Sequence, residues 1–148
     1  MTDKTFGSKI DGITYMERKG AYLIAVCNDK LATVRTPKGY FLLGGGIEGN
    51  ETHIECIRRE CLEESGYAVT VGQYICSADT YKLHYRFGYF HPIQYYYQGE
   101  ILDKIAEPIE VDHVFEWLPL EDIDSKMYVE QQIWAVKYYI KNHLYHGK

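Results

Sequence analysis

Residues 44–67 read GGGIEGNETHIECIRRECLEESGY, and this stretch decides the fold. It runs from a glycine-rich turn straight into a short helix whose polar face is almost all glutamate. Five residues separate Gly45 from Glu51 and seven more precede Arg59 and Glu60, with Glu63, Glu64 and Gly66 close behind. Thr52 is placed to cap the helix, and Glu55 three residues on completes a capping box. Gly66 suits the left-handed position that ends a helix. The helix is therefore predicted over about Thr52 to Ser65.

At about 100° per residue, Glu60, Glu63 and Glu64 fall within one arc of the helix roughly 100° wide. Ile54, Ile57 and Cys61 lie on the other side and can anchor it to a core. Carboxylates so crowded repel one another unless a cation sits among them. Oxygen donors of this kind suit Mg²⁺ or Mn²⁺, and the lack of paired cysteines and histidines argues against zinc. Arg59 can hold a carboxylate by a bidentate pair, which a lysine could not copy. The glycines at 44–46 allow the backbone close to an ion, so one carbonyl can become a ligand.

Outside this segment the chain is of ordinary globular composition, with 148 residues, 46% hydrophobic and 25% charged. It reads as one domain over residues 1–148. A net charge of −5 leaves no basic stripe for polymeric nucleic acid, whereas a small phosphorylated ligand can arrive with its own cation. No apolar run has the ~20 residues of a membrane helix, and the N-terminus lacks a secretory signal. The four cysteines, Cys27, Cys56, Cys61 and Cys76, form no CxxC pair, which favours reduced thiols and a cytoplasmic location.

Strands are predicted at Ile13 to Glu17, Ala21 to Cys27 and Leu31 to Arg35, with a turn at Asn28-Asp29. Tyr40 to Leu43 leads into the glycines. After the helix come Ala68 to Ala78, Arg86 to Phe90, Ile93 to Gln98 and Val114 to Leu118, stopped by Pro119. Ser125 is expected to cap a closing helix through about Leu144, with Ile133, Val136, Ile140 and Leu144 on one face. Strands and helices without regular βαβ alternation imply an α+β domain, a mixed sheet flanked by helices as an α/β/α sandwich.

A merely solvated acidic helix face is the ordinary alternative to a metal site. Seven specified positions, each filled about one time in fifteen, coincide by chance in roughly one chain in a million. The spacing resembles the Nudix box of the MutT/Nudix hydrolases, written G, five residues, E, seven residues, R-E-U-x-E-E-x-G-U, with U a bulky aliphatic. Gly45, Glu51, Arg59, Glu60, Glu63, Glu64 and Gly66 match. Cys61 and Tyr67 depart from the two aliphatic positions, and Leu43 stands where many members have proline. None of these departures removes a charge.

The resemblance implies the Nudix fold and a hydrolase that cleaves a nucleoside diphosphate linked to another group, by attack of water on phosphorus. A nucleoside triphosphate or an oxidised deoxynucleotide is the favoured kind of substrate. Carried over by position, Glu60 and Glu64 are the chief Mg²⁺ or Mn²⁺ ligands, Glu63 assists and the Gly45 carbonyl completes the set. Arg59 orients carboxylates, and Glu51 braces the loop or reaches a second ion. Members of the family often add a general base from outside the box. Glu107, Glu110 and Glu116 are the candidates, with Glu116 preferred for its FEWLPL context.

Tyr81, Tyr85 and Tyr89 are candidates to stack on a base. Lys82 occupies the position that carries a proline in many ADP-ribose pyrophosphatases. A nucleotide sensor without turnover and a hydrolase of non-nucleotide diphosphates are the competing readings. The tyrosine-rich strands and the last helix can also support a homodimer, which is common in the family.

Overall fold

Residues 1–144 are described by the computed structural model. Nine strands form one connected mixed sheet: β1 (Lys4–Phe6), β2 (Met16–Ile24), β3 (Val26–Cys27), β4 (Lys30–Thr36), β5 (Gly39–Gly46), β6 (Tyr67–Thr80), β7 (Lys82–His84), β8 (Gly88–Lys104) and β9 (Val114–Pro119). Their order is β1-β6-β8-β2-β5-β4-β3, with β7 alongside β8 and β9 alongside β4. The pairs β1/β6 and β2/β8 are parallel, and the rest are antiparallel.

Strand β5 joins the two halves. Its end from Leu43 to Gly46 pairs with Leu23 to Gly20 of β2, while Gly39 to Leu42 pair with β4. The glycine turn is thereby held as ladder. Gly20 marks no break, contrary to the two short strands expected there, and β2 runs through it. A Cβ at Gly20 would come within 2.9 Å of the Gly45 carbonyl oxygen, so the missing side chain serves close approach.

Helix α1 (His53–Ser65) covers one face of the sheet, burying Ile57 and Cys61 against Ala21, Leu23 and Leu43. Helix α3 (Glu130–Tyr139) covers the other, where Val136 meets Ile24, Leu42 and Leu118. The result is the α/β/α sandwich that the sequence implies. Each fully buried aliphatic side chain contributes about 1.5–3 kcal/mol.

The closing helix is not continuous. A 3₁₀ turn (Leu120–Asp122) and helix α2 (Ile123–Lys126) precede a break, and a π-helical turn (Ile140–Leu144) follows α3. Met127 bridges to Tyr40 of β5, which pulls the backbone into extended form before α3 begins. Ser125 therefore caps nothing; its hydroxyl donates to the Asp122 carbonyl. The expected apolar face survives, with Val136 buried and Ile133, Ile140 and Leu144 partly so.

Candidate active site

Helix α1 begins as its sequence demands. The Thr52 hydroxyl accepts from the Glu55 amide at 3.1 Å, and the Glu55 carboxylate accepts from the Thr52 amide at 2.8 Å. Gly66 ends the helix at φ 78°, its amide donating to the Leu62 carbonyl. Between those caps the glutamates face the tip of β5.

Glu64 is buried, only 8% exposed, and accepts a hydrogen bond from the Gly44 amide at 3.0 Å. Glu60 lies directly over Gly45: a Cβ there would sit 1.5 Å from its Oε2. Only glycine admits the carboxylate so near the backbone. Arg59 organises the remainder. Its Nη2 donates to Glu51 at 2.9 Å and to the Gly46 carbonyl at 3.0 Å, while Nη1 reaches Glu60 and Glu63, each at 3.3 Å.

The charges are unevenly matched. Arg59's hydrogen bonds hold Glu51 down at about 2. Burial first, and then the charge of Glu64, push Glu60 up to about 7. Burial also raises Glu64, with His113 and the Gly44 amide opposing. Burial thus makes both carboxylates resist ionisation, Glu60 despite its contact with Arg59 and Glu64 despite the Gly44 amide. His113 Nδ1 is 3.6 Å from Glu64 Oε2, beyond hydrogen-bond reach, and is buried without a partner among the described residues.

Hard oxygen donors short of positive charge, over a glycine that makes room for them, fit Mg²⁺ or Mn²⁺. Among the described residues no three His, Cys, Asp or Glu side chains are already gathered for a metal ion, and Glu60 and Glu63 both accept from Arg59 Nη1. The Gly45 carbonyl, the expected backbone ligand, here accepts from the Cys56 thiol at 3.3 Å.

Of the other candidates, Glu116 is held elsewhere. Side chains alternate along β9. Phe115 and Trp117 pack on the α1 side, so Glu116 points away from it, accepting from the Tyr40 hydroxyl at 2.6 Å and Arg35 Nε at 3.1 Å. Glu107 is exposed beside Lys104. Glu110 lies in a loop docked on the end of α1, where its amide and that of Ile109 donate to the Glu63 carbonyl.

A cavity of about 530 Å³ opens beside Glu64 and Gly44. Tyr81, Tyr85 and Tyr89 do not line it. Tyr81 stacks on His91, Tyr89 packs edge-on against Tyr15, and Tyr85 is exposed with Lys38 over its ring. The walls instead include Tyr22, Gln94, His113 and Gln132, which sequence reasoning missed. They come from β2, β8, a loop and α3, so no local spacing links them.

The family model for the NUDIX domain matches residues 16–139. The chain belongs to the NUDIX family. A NUDIX hydrolase from Nitrosomonas europaea superposes with a TM-score of 0.69 at 15% identity, covering 85% of this chain and 90% of that one. The E. coli ORF135 protein gives 0.67 at 18%, covering 89% and 94%. An ADP-ribose pyrophosphatase from Streptococcus suis gives 0.60 at 14%, covering 84% and 90%. At these identities the likeness establishes the fold. No curated protein sequence matches significantly.

Proposed function

We propose that this NUDIX protein is a Mg²⁺- or Mn²⁺-dependent pyrophosphohydrolase that cleaves a nucleoside diphosphate linked to another group, with a nucleoside triphosphate or an oxidised deoxynucleotide as the favoured kind of substrate. The observation that carries this reading is the half-buried Glu60 and the buried Glu64 packed against the Gly44–Gly46 backbone, with every charged position of the box filled. Glu60, Glu64 and Glu63 would hold the ion, and Arg59 and Glu51 fix the loop against the helix. When bound, a divalent cation neutralises the diphosphate and lowers the pKa of the attacking water.

In the reaction a water oxygen forms a bond to phosphorus, and the anhydride P–O bond breaks. The electron pair leaves with the departing phosphate, and the water's proton passes to a base. His113 of the 105–113 loop lies 3.6 Å from Glu64 and the charge of Glu110 acts on it, whereas Glu116 is held by Tyr40, so Glu110 and His113 are better suited to that role than Glu116. Four unpaired cysteines, with Cys27 exposed, support a reducing cytoplasm.

The test is a panel of nucleoside triphosphates and nucleoside diphosphate conjugates incubated with Mg²⁺, comparing wild type with Glu64→Gln. Release of monophosphate by wild type alone supports the reading. Equal, background release by both proteins across the panel sinks it.

A further inference from the structure

The cavity beside Glu64 has a floor of buried amides, and their wiring is informative. Gln132, in the first turn of α3, is 1% exposed, and its Oε1 accepts from the Leu42 amide at 2.8 Å. A backbone N–H can only donate, so the carboxamide oxygen must face Leu42 and the nitrogen must face away. Gln94 of β8 is 9% exposed, and its Oε1 accepts from the hydroxyl of fully buried Tyr96 at 2.6 Å. Both residues border the cavity, and among the described residues neither nitrogen donates to protein. Gln131 is wired differently: its Nε2 donates to the Ala78 and Pro92 carbonyls at 3.0 and 3.2 Å, so its donors are consumed by the fold.

Two uncharged donor groups, in a cavity with Tyr22, Leu42 and Val129 as apolar walls, call for a flat apolar ligand bearing neutral acceptors. A glutamine free at both ends reads adenine, its oxygen accepting from N6 and its nitrogen donating to N7. Here both oxygens are turned into the protein. An exocyclic amine would meet another donor, whereas a carbonyl would be received. Of the two carboxylates on the cavity wall, Asp112 is solvent-exposed, where water competes for it, and Glu64 already accepts from the Gly44 amide.

We infer that this cavity holds a nucleobase by its carbonyl edge, with Gln132 and Gln94 as the donors, so that oxo-bearing bases (guanine, uracil, thymine, cytosine) are selected over adenine. The inference rests on the nucleotide reading above and adds the class of base.

The test titrates GMP, UMP, CMP and AMP into the full chain by calorimetry at pH 8 with Mg²⁺, for wild type and Gln132→Glu, alongside kcat/KM for the four triphosphates. Glutamate at 132 still accepts from Leu42 but has lost the donor. Wild type is expected to favour each oxo-bearing base over adenine by about tenfold or more, the worth of a base-edge hydrogen-bond pair. Gln132→Glu is expected to abolish that margin. Circular dichroism checks the fold, and Gln94→Met carries the same comparison where Gln132→Glu does not fold. Equal or tighter AMP binding, an unchanged margin in the variants, or no monophosphate binding at all overturns the inference. Turnover without base preference would overturn it while leaving the hydrolase reading intact. Base preference without turnover would do the reverse.

Discussion

Arg59 grips Glu51 at two points, its Nε donating to one carboxylate oxygen and its Nη2 to the other at 2.9 Å. The same guanidinium donates to the Gly46 carbonyl, so one planar group ties helix α1 to the loop before it and to the tip of β5. A lysine would keep the charge and lose the fork. Arg59→Lys is expected to cost about 1–3 kcal/mol in urea unfolding. Its kcat should fall at least about tenfold, as expected when a positioning contact loosens. A lysine variant with wild-type stability and rate would show that charge alone is needed.

Gly45 makes a second, separable prediction. The Cβ of Gly45→Ala would occupy the place of the Glu60 carboxylate, 1.5 Å from its Oε2. That oxygen ends a flexible side chain, so the carboxylate can swing aside and the fold should persist. The cost falls on cation binding. In thermal melts with and without Mg²⁺, wild type should melt higher with the ion and Gly45→Ala should show little change. Glu64→Gln, which can still accept from the Gly44 amide, should also lose the Mg²⁺ effect. A full Mg²⁺ shift in either variant would remove Glu60 or Glu64 from the ion's site.

How much of this was legible in the sequence depended on distance along the chain. The α1 boundaries and the arc of glutamates are set by neighbours within a turn or two, and Thr52, Glu55 and Gly66 announced them. Asn28 and Asn28's neighbour Asp29 likewise both take positive φ, 53° and 60°, as a tight turn requires. Strand β1 gave no signal, because Lys4–Phe6 is held by partners far away on β6. The break before α3 follows from Met127 meeting Tyr40, which no local propensity encodes. The cavity wall is of the same kind: Gln94 of β8 and Gln132 of α3 border one cavity only through tertiary packing.

The candidate bases can be separated by paired variants. Glu116 spends its carboxylate on Tyr40 and Arg35, whereas Glu110 lies near enough to raise the pKa of Glu64. Glu110→Gln should lower kcat by about a hundredfold to ten-thousandfold if it moves the proton. Glu116→Gln should leave kcat within about twofold, its contact with Arg35 being an exposed ion pair of small worth. The opposite ranking in steady-state rates would return the role to Glu116.

Acid should release the N-terminal strand. Asp79 is buried on β6, where its Oδ1 accepts from the Thr2 and Thr5 hydroxyls at 2.6 and 2.7 Å and its Oδ2 pairs with His91 Nε2 at 2.6 Å. Glu17 faces the other nitrogen of His91 at 3.7 Å. Burial alone would raise the Asp79 pKa, but these three partners together hold it below its ordinary 3.8. A depressed carboxylate pKa gives stability that is present above the unfolded value and lost as the pH falls through the folded one. The window therefore lies below about pH 4. At pH 6, Asp79→Asn should cost about 1–3 kcal/mol by urea titration, and its difference from wild type should shrink as the pH drops to 3. A difference that stays constant from pH 6 to 3 would mean that Asp79 holds β1 by shape rather than by charge.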